Sequence, residues 1–193
     1  LVGAPGAAPP GQSAEFGQVH VFQGIGSGVS PEAFKSMNGF RQTGGGIEVG
    51  FVVAQVGDVD GDGEEDFAFH ARETTQPKSF NAEFYEAPAA CEKKKNSVGA
   101  TYVFKGGPGA GYTSDEPAFI FFGPETNRDP DKMMGGFDID GDGYDDIAMG
   151  SRGFRGPKNL SNAGGIAIYR GGADAPDKTT IVCEPYGLFV GLK

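Results

Sequence analysis

The sequence has no tryptophan, two histidines, two cysteines, and 16 basic residues against 26 acidic ones. It has no run of about 20 apolar residues, so no segment reads as a membrane-spanning helix. No basic patch with interleaved aromatics occurs, which with a formal charge of −10 argues against nucleic acid as a partner. No segment sustains a helical period between caps, so a helical fold is excluded. No secretory leader is legible at the start, which reads instead as the inside of a strand. Cys91 and Cys183 are compatible with one disulfide or with free thiols.

Glycine and proline are abundant, at 34 and 13 of 193 residues. That composition borders on low complexity. However, 38% of the residues are hydrophobic and apolar runs recur, so the chain reads as many short strands joined by tight turns. The length suits one domain. The acids are clustered: eleven of the 26 lie in residues 58–66 and 138–146. Charge that dense needs a counter-charge if it is ordered.

These clusters are copies of one motif. Asp58-Val59-Asp60-Gly61-Asp62-Gly63-Glu64-Glu65-Asp66 returns at an offset of 80 as Asp138-Ile139-Asp140-Gly141-Asp142-Gly143-Tyr144-Asp145-Asp146. A short apolar strand follows each, Phe67-Ala68-Phe69 and Ile147-Ala148-Met149-Gly150. Leu1-Val2-Gly3-Ala4-Pro5 reads as the same strand of an earlier unit. A second strand type, closed by glycine, recurs at Gly17–Gly24, Gly99–Gly106 and Gly164–Gly171. A third type recurs at Ala33–Lys35, Ala118–Phe121 and Thr180–Cys183. A fourth is placed just before a loop, at Gly50–Ala54, Lys132–Met134 and Leu188–Gly191.

The count is about twelve strands in three groups of four, with repeats near 1–57, 58–137 and 138–193. The expected fold class is all-β, built of four-stranded antiparallel β-propeller blades. A β-sandwich also has many short strands, but the loop-locked repeat favours the propeller. Known propellers have about four to eight blades, so three units are expected to belong to a longer protein or to an assembly of copies.

The loop pattern is D-x-D-x-D-G-x-x-D. Carboxylates at positions 1, 3 and 5 converge, and the glycine at position 6 permits the sharp turn. The expected ligands are Asp58, Asp60, Asp62 and Asp66, with Glu64 through its carbonyl, and Asp138, Asp140, Asp142 and Asp146, with Tyr144 through its carbonyl. An all-oxygen, multi-carboxylate shell suits Ca²⁺ better than Mg²⁺. The side chains of Glu64, Glu65 and Asp145 are expected to face solvent. An EF-hand would need a Glu at position 12 and flanking helices; this chain has Phe69 and Met149 there, between strands.

These loops, with Gly50-Phe51-Val52-Val53-Ala54, Leu1-Val2-Gly3-Ala4-Pro5 and Gly17 to Phe22, resemble the FG-GAP repeat, the unit of the integrin α-subunit propeller and of many bacterial surface and secreted proteins. The resemblance departs at Met133-Met134-Gly135-Gly136-Phe137, where a Phe-Gly signature is expected, and at His70-Ala71-Arg72 and Gly150-Ser151-Arg152, which replace Gly-Ala-Pro. It implies structural Ca²⁺, an extracellular, secreted, cell-surface or periplasmic location, and a role in adhesion or recognition. It also implies a protein or glycan partner on the face opposite the acidic loops, and contacts with neighbouring blades or chains.

The loops of that opposite face fall near 5–16, 72–98 and 152–163, and the middle one is a long insertion carrying Phe80, Phe84, Tyr85 and Lys93-Lys94-Lys95. Asn159-Leu160-Ser161 fits a glycosylation sequon. No catalytic residue is expected. His20 and His70 lie in apolar strands, without a Ser or Cys in a nucleophile context.

Overall fold

A computed structural model describes residues 1–8, 11, 17–22, 24–25, 28–29, 35–38, 40–42, 45–72, 99–107, 117–124, 130–173 and 179–191. The fold is all-β. Among the described residues, fifteen strands run in order as β1 (Val2–Ala4), β2 (Gln18–Val21), β3 (Gly24–Ile25), β4 (Gly28–Val29), β5 (Lys35–Asn38), β6 (Phe40–Gln42), β7 (Gly45–Gly57), β8 (Asp66–Arg72), β9 (Ala100–Phe104), β10 (Phe119–Phe122), β11 (Lys132–Phe137), β12 (Asp146–Ser151), β13 (Gly165–Tyr169), β14 (Thr180–Val182) and β15 (Gly187–Val190). The one helical element among the described residues is a single 3-10 turn at Pro157–Asn159.

Three sheets carry the structure, beside a small β3–β4 hairpin. The first has the order β1-β2-β5, the second β14-β10-β9-β8-β7-β6, and the third β11-β12-β13-β15. Strands β7 to β10 form a four-stranded antiparallel meander around the first acidic loop. Strands β11 to β13 form the equivalent unit around the second.

The second sheet is buried on both faces. Toward the first sheet, Phe67, Phe69, Tyr102 and Phe104 pack with Val19, Val21 and Val49. Toward the third, Ala68, Val103, Phe119 and Phe121 pack with Ile147, Met149, Ala167 and Tyr169. This two-sided burial explains why β8, β9 and β10 are almost continuously apolar, whereas half-buried β11 alternates. The Tyr169 hydroxyl donates to the Phe122 carbonyl at 2.5 Å, tying the third sheet to the second. Its burial raises the Tyr169 pKa, so the donor stays protonated.

Glycine lets the sheets approach backbone to backbone. A Cβ on Gly3 would lie 2.1 Å from the Gly50 carbonyl oxygen, and one on Gly135 would lie 2.4 Å from that of Val56. The glycines of Leu1–Pro5 and Gly50–Ala54 therefore meet at one seam between the first two sheets.

Two strands depart from the sequence expectation. Thr180–Val182 pairs in parallel with β10 of the second sheet, not with its own unit. Leu188–Gly191, expected to lead into a further loop, contributes β15, which pairs antiparallel with β13. With β14 bonded elsewhere, β13 would present an open edge of N–H and C=O groups, and β15 closes it.

Candidate metal centres

Each acidic loop is the turn between two adjacent strands, β7–β8 for the first and β11–β12 for the second. Two glycines per loop are left-handed: Gly61 at φ 78° and Gly63 at φ 90°, Gly141 at φ 79° and Gly143 at φ 94°. Only the second of each pair, Gly63 and Gly143, was expected from the motif to need that freedom. The first is also needed to fold three carboxylates onto one point.

Asp58, Asp60 and Asp62 bring one ligand oxygen each within 4.8 Å of one another, and Asp138, Asp140 and Asp142 do the same. The two loops share an internal bonding pattern. Asp58 Oδ2 accepts from the Gly63 N–H at 2.9 Å, and Asp138 Oδ2 from Gly143 at 2.9 Å. Asp60 Oδ1 and Asp140 Oδ1 accept from the N–H groups of Asp62 and Asp142. Asp62 Oδ1 and Asp142 Oδ1 accept from those of Glu64 and Tyr144.

Asp66 and Asp146 lie outside the two three-carboxylate clusters. Each spans the loop and the third strand of its sheet. Asp66 accepts from the N–H of Val59 and of Gly106, both at 2.9 Å; Asp146 accepts from Ile139 at 2.9 Å and Gly171 at 3.0 Å. Both are fully buried. Burial pushes the Asp66 carboxyl up to about 7, opposed by its two N–H donors and reinforced by the charges of Asp60 and Asp62. Asp146 is raised for the same first reason. Asp138 is exposed and goes the other way, lowered first by the Gly143 N–H.

The loops differ at position 1. Asp138 Oδ1 accepts from the N–H of Gly141 at 2.6 Å and of Asp142 at 3.1 Å. Asp58 Oδ1 is buried and accepts no hydrogen bond. A buried carboxylate oxygen without a donor is costly, and a hard cation among the three carboxylates would supply the missing partner. The donor set fits Ca²⁺: oxygen only, several carboxylates, and a turn able to yield.

Sequence reasoning missed three features. Asp145 does not face solvent. Its Oδ2 accepts from the Asp58 N–H and its own N–H donates to the Asp58 carbonyl, both at 2.9 Å. Position 8 of the second loop thus grips position 1 of the first. The Tyr144 ring lies against Gly61, where a Cβ would come within 2.5 Å of Cε1. Basic side chains also reach position 3: Lys105 Nζ lies 2.6 Å from Asp60 Oδ2, and Arg170 Nε contacts Asp140 Oδ2. The recurring Lys105-Gly106 and Arg170-Gly171 pairs were a legible signal for this. Of the other two acids read as solvent-facing, Glu65 is exposed and accepts from Gln55 Nε2 at 2.6 Å, while Glu64 is half-buried.

Of the opposite-face loops, 152–163 is described, 5–16 only in part, and 73–98 lie outside the described residues. Asn159 of the sequon is exposed, with φ 60°. Cys183 is disulfide-bonded, and Cys91, the chain's other cysteine, lies outside the described residues. Both histidines do meet hydroxyls across strands: His20 Nδ1 lies 2.8 Å from Ser36 Oγ on an exposed face, and buried His70 Nδ1 lies 2.9 Å from Thr101 Oγ1. Strand register brings together what sequence distance kept apart. No helix among the described residues is long and apolar enough to cross a membrane.

The repeat geometry has a counterpart among known families. Residues 132–169, from β11 through the second loop to the end of β13, match the family model of the FG-GAP repeat.

Proposed function

We propose that this chain is a calcium-binding module of an extracellular β-propeller, serving adhesion or recognition and not catalysis. One observation carries the reading. Two loops with the same Asp and Gly spacing each gather three carboxylates within 4.8 Å, and the first leaves Asp58 Oδ1 without a donor. Asp58, Asp60 and Asp62 would hold one ion and Asp138, Asp140 and Asp142 the other, with the carbonyls of Glu64 and Tyr144 and the carboxylates of Asp66 and Asp146 completing the shells. The ion supplies positive charge that fastens the turn, and its binding is coupled to folding.

A protein or glycan partner would meet the loops at the far ends of the strands, near 5–16, 72–98 and 152–163. Segment 152–163 suits that role. It is anchored by buried Phe154, and Gly156 N–H donates to the Leu160 carbonyl at 2.9 Å, while Arg152, Arg155 and Lys158 stay exposed.

A second reading, a scaffold subunit within a larger surface assembly, is favoured by the outer face of the third sheet. Met134, Ile166 and Phe189 are 61%, 49% and 64% exposed there, on the face away from Met149 and Ala167.

Thermal melting separates calcium binding from a solvated acidic turn. Millimolar Ca²⁺ added after chelation should raise the midpoint well beyond equal Mg²⁺, and Asp58→Ala with Asp138→Ala should abolish the rise. Equal responses to both ions, or a rise that survives the double substitution, would refute the site.

A further inference from the structure

Each loop meets a positive charge that lies outside its own motif. Lys105 and Arg170 occupy the same place in the repeat, at the end of the third strand and just before its closing glycine. That glycine donates its N–H to the position-9 carboxylate, Gly106 to Asp66 and Gly171 to Asp146. The basic side chain beside it contacts the position-3 carboxylate, Asp60 or Asp140. Each Lys-Gly or Arg-Gly pair thus latches its loop at two points.

The Asp60 side chain is 1% exposed and that of Lys105 26%, so this pair works at low dielectric. The second latch is more open, with Arg170 46% exposed, and its guanidinium also lies 3.7 Å from the centre of the Tyr186 ring.

We propose that Lys105 and Arg170 are built-in counter-cations that hold the loops in shape before an ion arrives and limit how tightly that ion is then held. This rests on the calcium reading above. An arriving dication must share Asp60 with an ammonium already 2.6 Å away, and the two cations repel. In return, the three converging carboxylates are partly neutralised without metal. The same residue therefore stabilises the metal-free form and weakens the metal-bound one.

Those effects have opposite signs, which separates this role from mere packing. The test uses the 193-residue chain as wild type, Lys105→Met and Lys105→Arg at one low salt concentration, by calcium calorimetry and by melting in chelator. Methionine keeps the apolar stem and removes the charge. Lys105→Met should melt at a lower temperature in chelator yet bind Ca²⁺ about tenfold more tightly at one site. Lys105→Arg should stay within about twofold of wild type, because it keeps the charge. Should Lys105→Met fail to fold without calcium, Arg170→Met provides the same comparison at the second loop. Wild type that binds calcium beside Met variants that bind it equally or more weakly would overturn this proposal alone. Wild type that binds no calcium would overturn the reading of the sites, and this proposal with it.

Discussion

Asp66 shows how much one carboxylate can do in this fold. Its two oxygens take the N–H of Val59 in the loop and of Gly106 beyond the third strand, in full burial. Asp66→Ala leaves both donors unsatisfied and should cost roughly 2–5 kcal/mol, read from the urea midpoint in chelator. Asp66→Asn keeps the size and removes the charge, which separates bonding from ionisation. Burial raises the folded carboxyl from 3.8 to about 7, so the folded chain holds this proton more tightly than the unfolded one. The resulting stability is fully present below pH 3.8 and is lost as pH rises through about 7. In chelator, wild-type stability should therefore decline across that window, with the decline reduced in Asp66→Asn; equal pH slopes would contradict it. The position of Asp66 was legible in the motif, but its bracing role was not. Gly106 lies 40 residues away, and only the β8–β9 pairing brings it near.

The elements were legible where glycine and alternation mark them. The meander β7 to β10 and the unit β11 to β13 follow from the repeat, because each strand must bury an apolar face and each loop fixes its neighbours. The swap of β14 and β15 was not legible. Both segments are short and apolar, and no local signal tells which of two nearby strand edges a free strand will take. Contacts between units were equally hidden. Asp145 grips Asp58 through two bonds, and Gly135 meets the backbone of Val56. Two predictions belong at this scale. Gly135→Ala drives a Cβ to 2.4 Å from the Val56 carbonyl oxygen and should destabilise the chain by about 1–3 kcal/mol in chemical denaturation. Asp145→Ala removes the acceptor for the Asp58 N–H and should weaken calcium at the first loop severalfold while sparing the second. A two-site calorimetric fit with unchanged constants would refute that link.

Among the described residues, three sheets pack so that the middle one supplies apolar side chains to both neighbours. Its acidic loops sit between strands of the same sheet, and the reciprocal Asp58–Asp145 pair joins one loop to the other. Net charge of −10 is concentrated where the chain turns most sharply, so the compact form carries repulsion that a bound dication would relieve. Chelation should accordingly lower the melting temperature, and added salt should recover part of the loss by screening. The apolar outer face of the third sheet was legible only once register was known, because alternation alone does not say which face is covered. The most direct test of the central claim is the calcium stoichiometry of the chelated, refilled chain by calorimetry. Two ions per chain are predicted, falling to one in Asp58→Ala and to none when Asp138→Ala is added. Absence of binding at millimolar Ca²⁺, or two ions retained by the double variant, would contradict it.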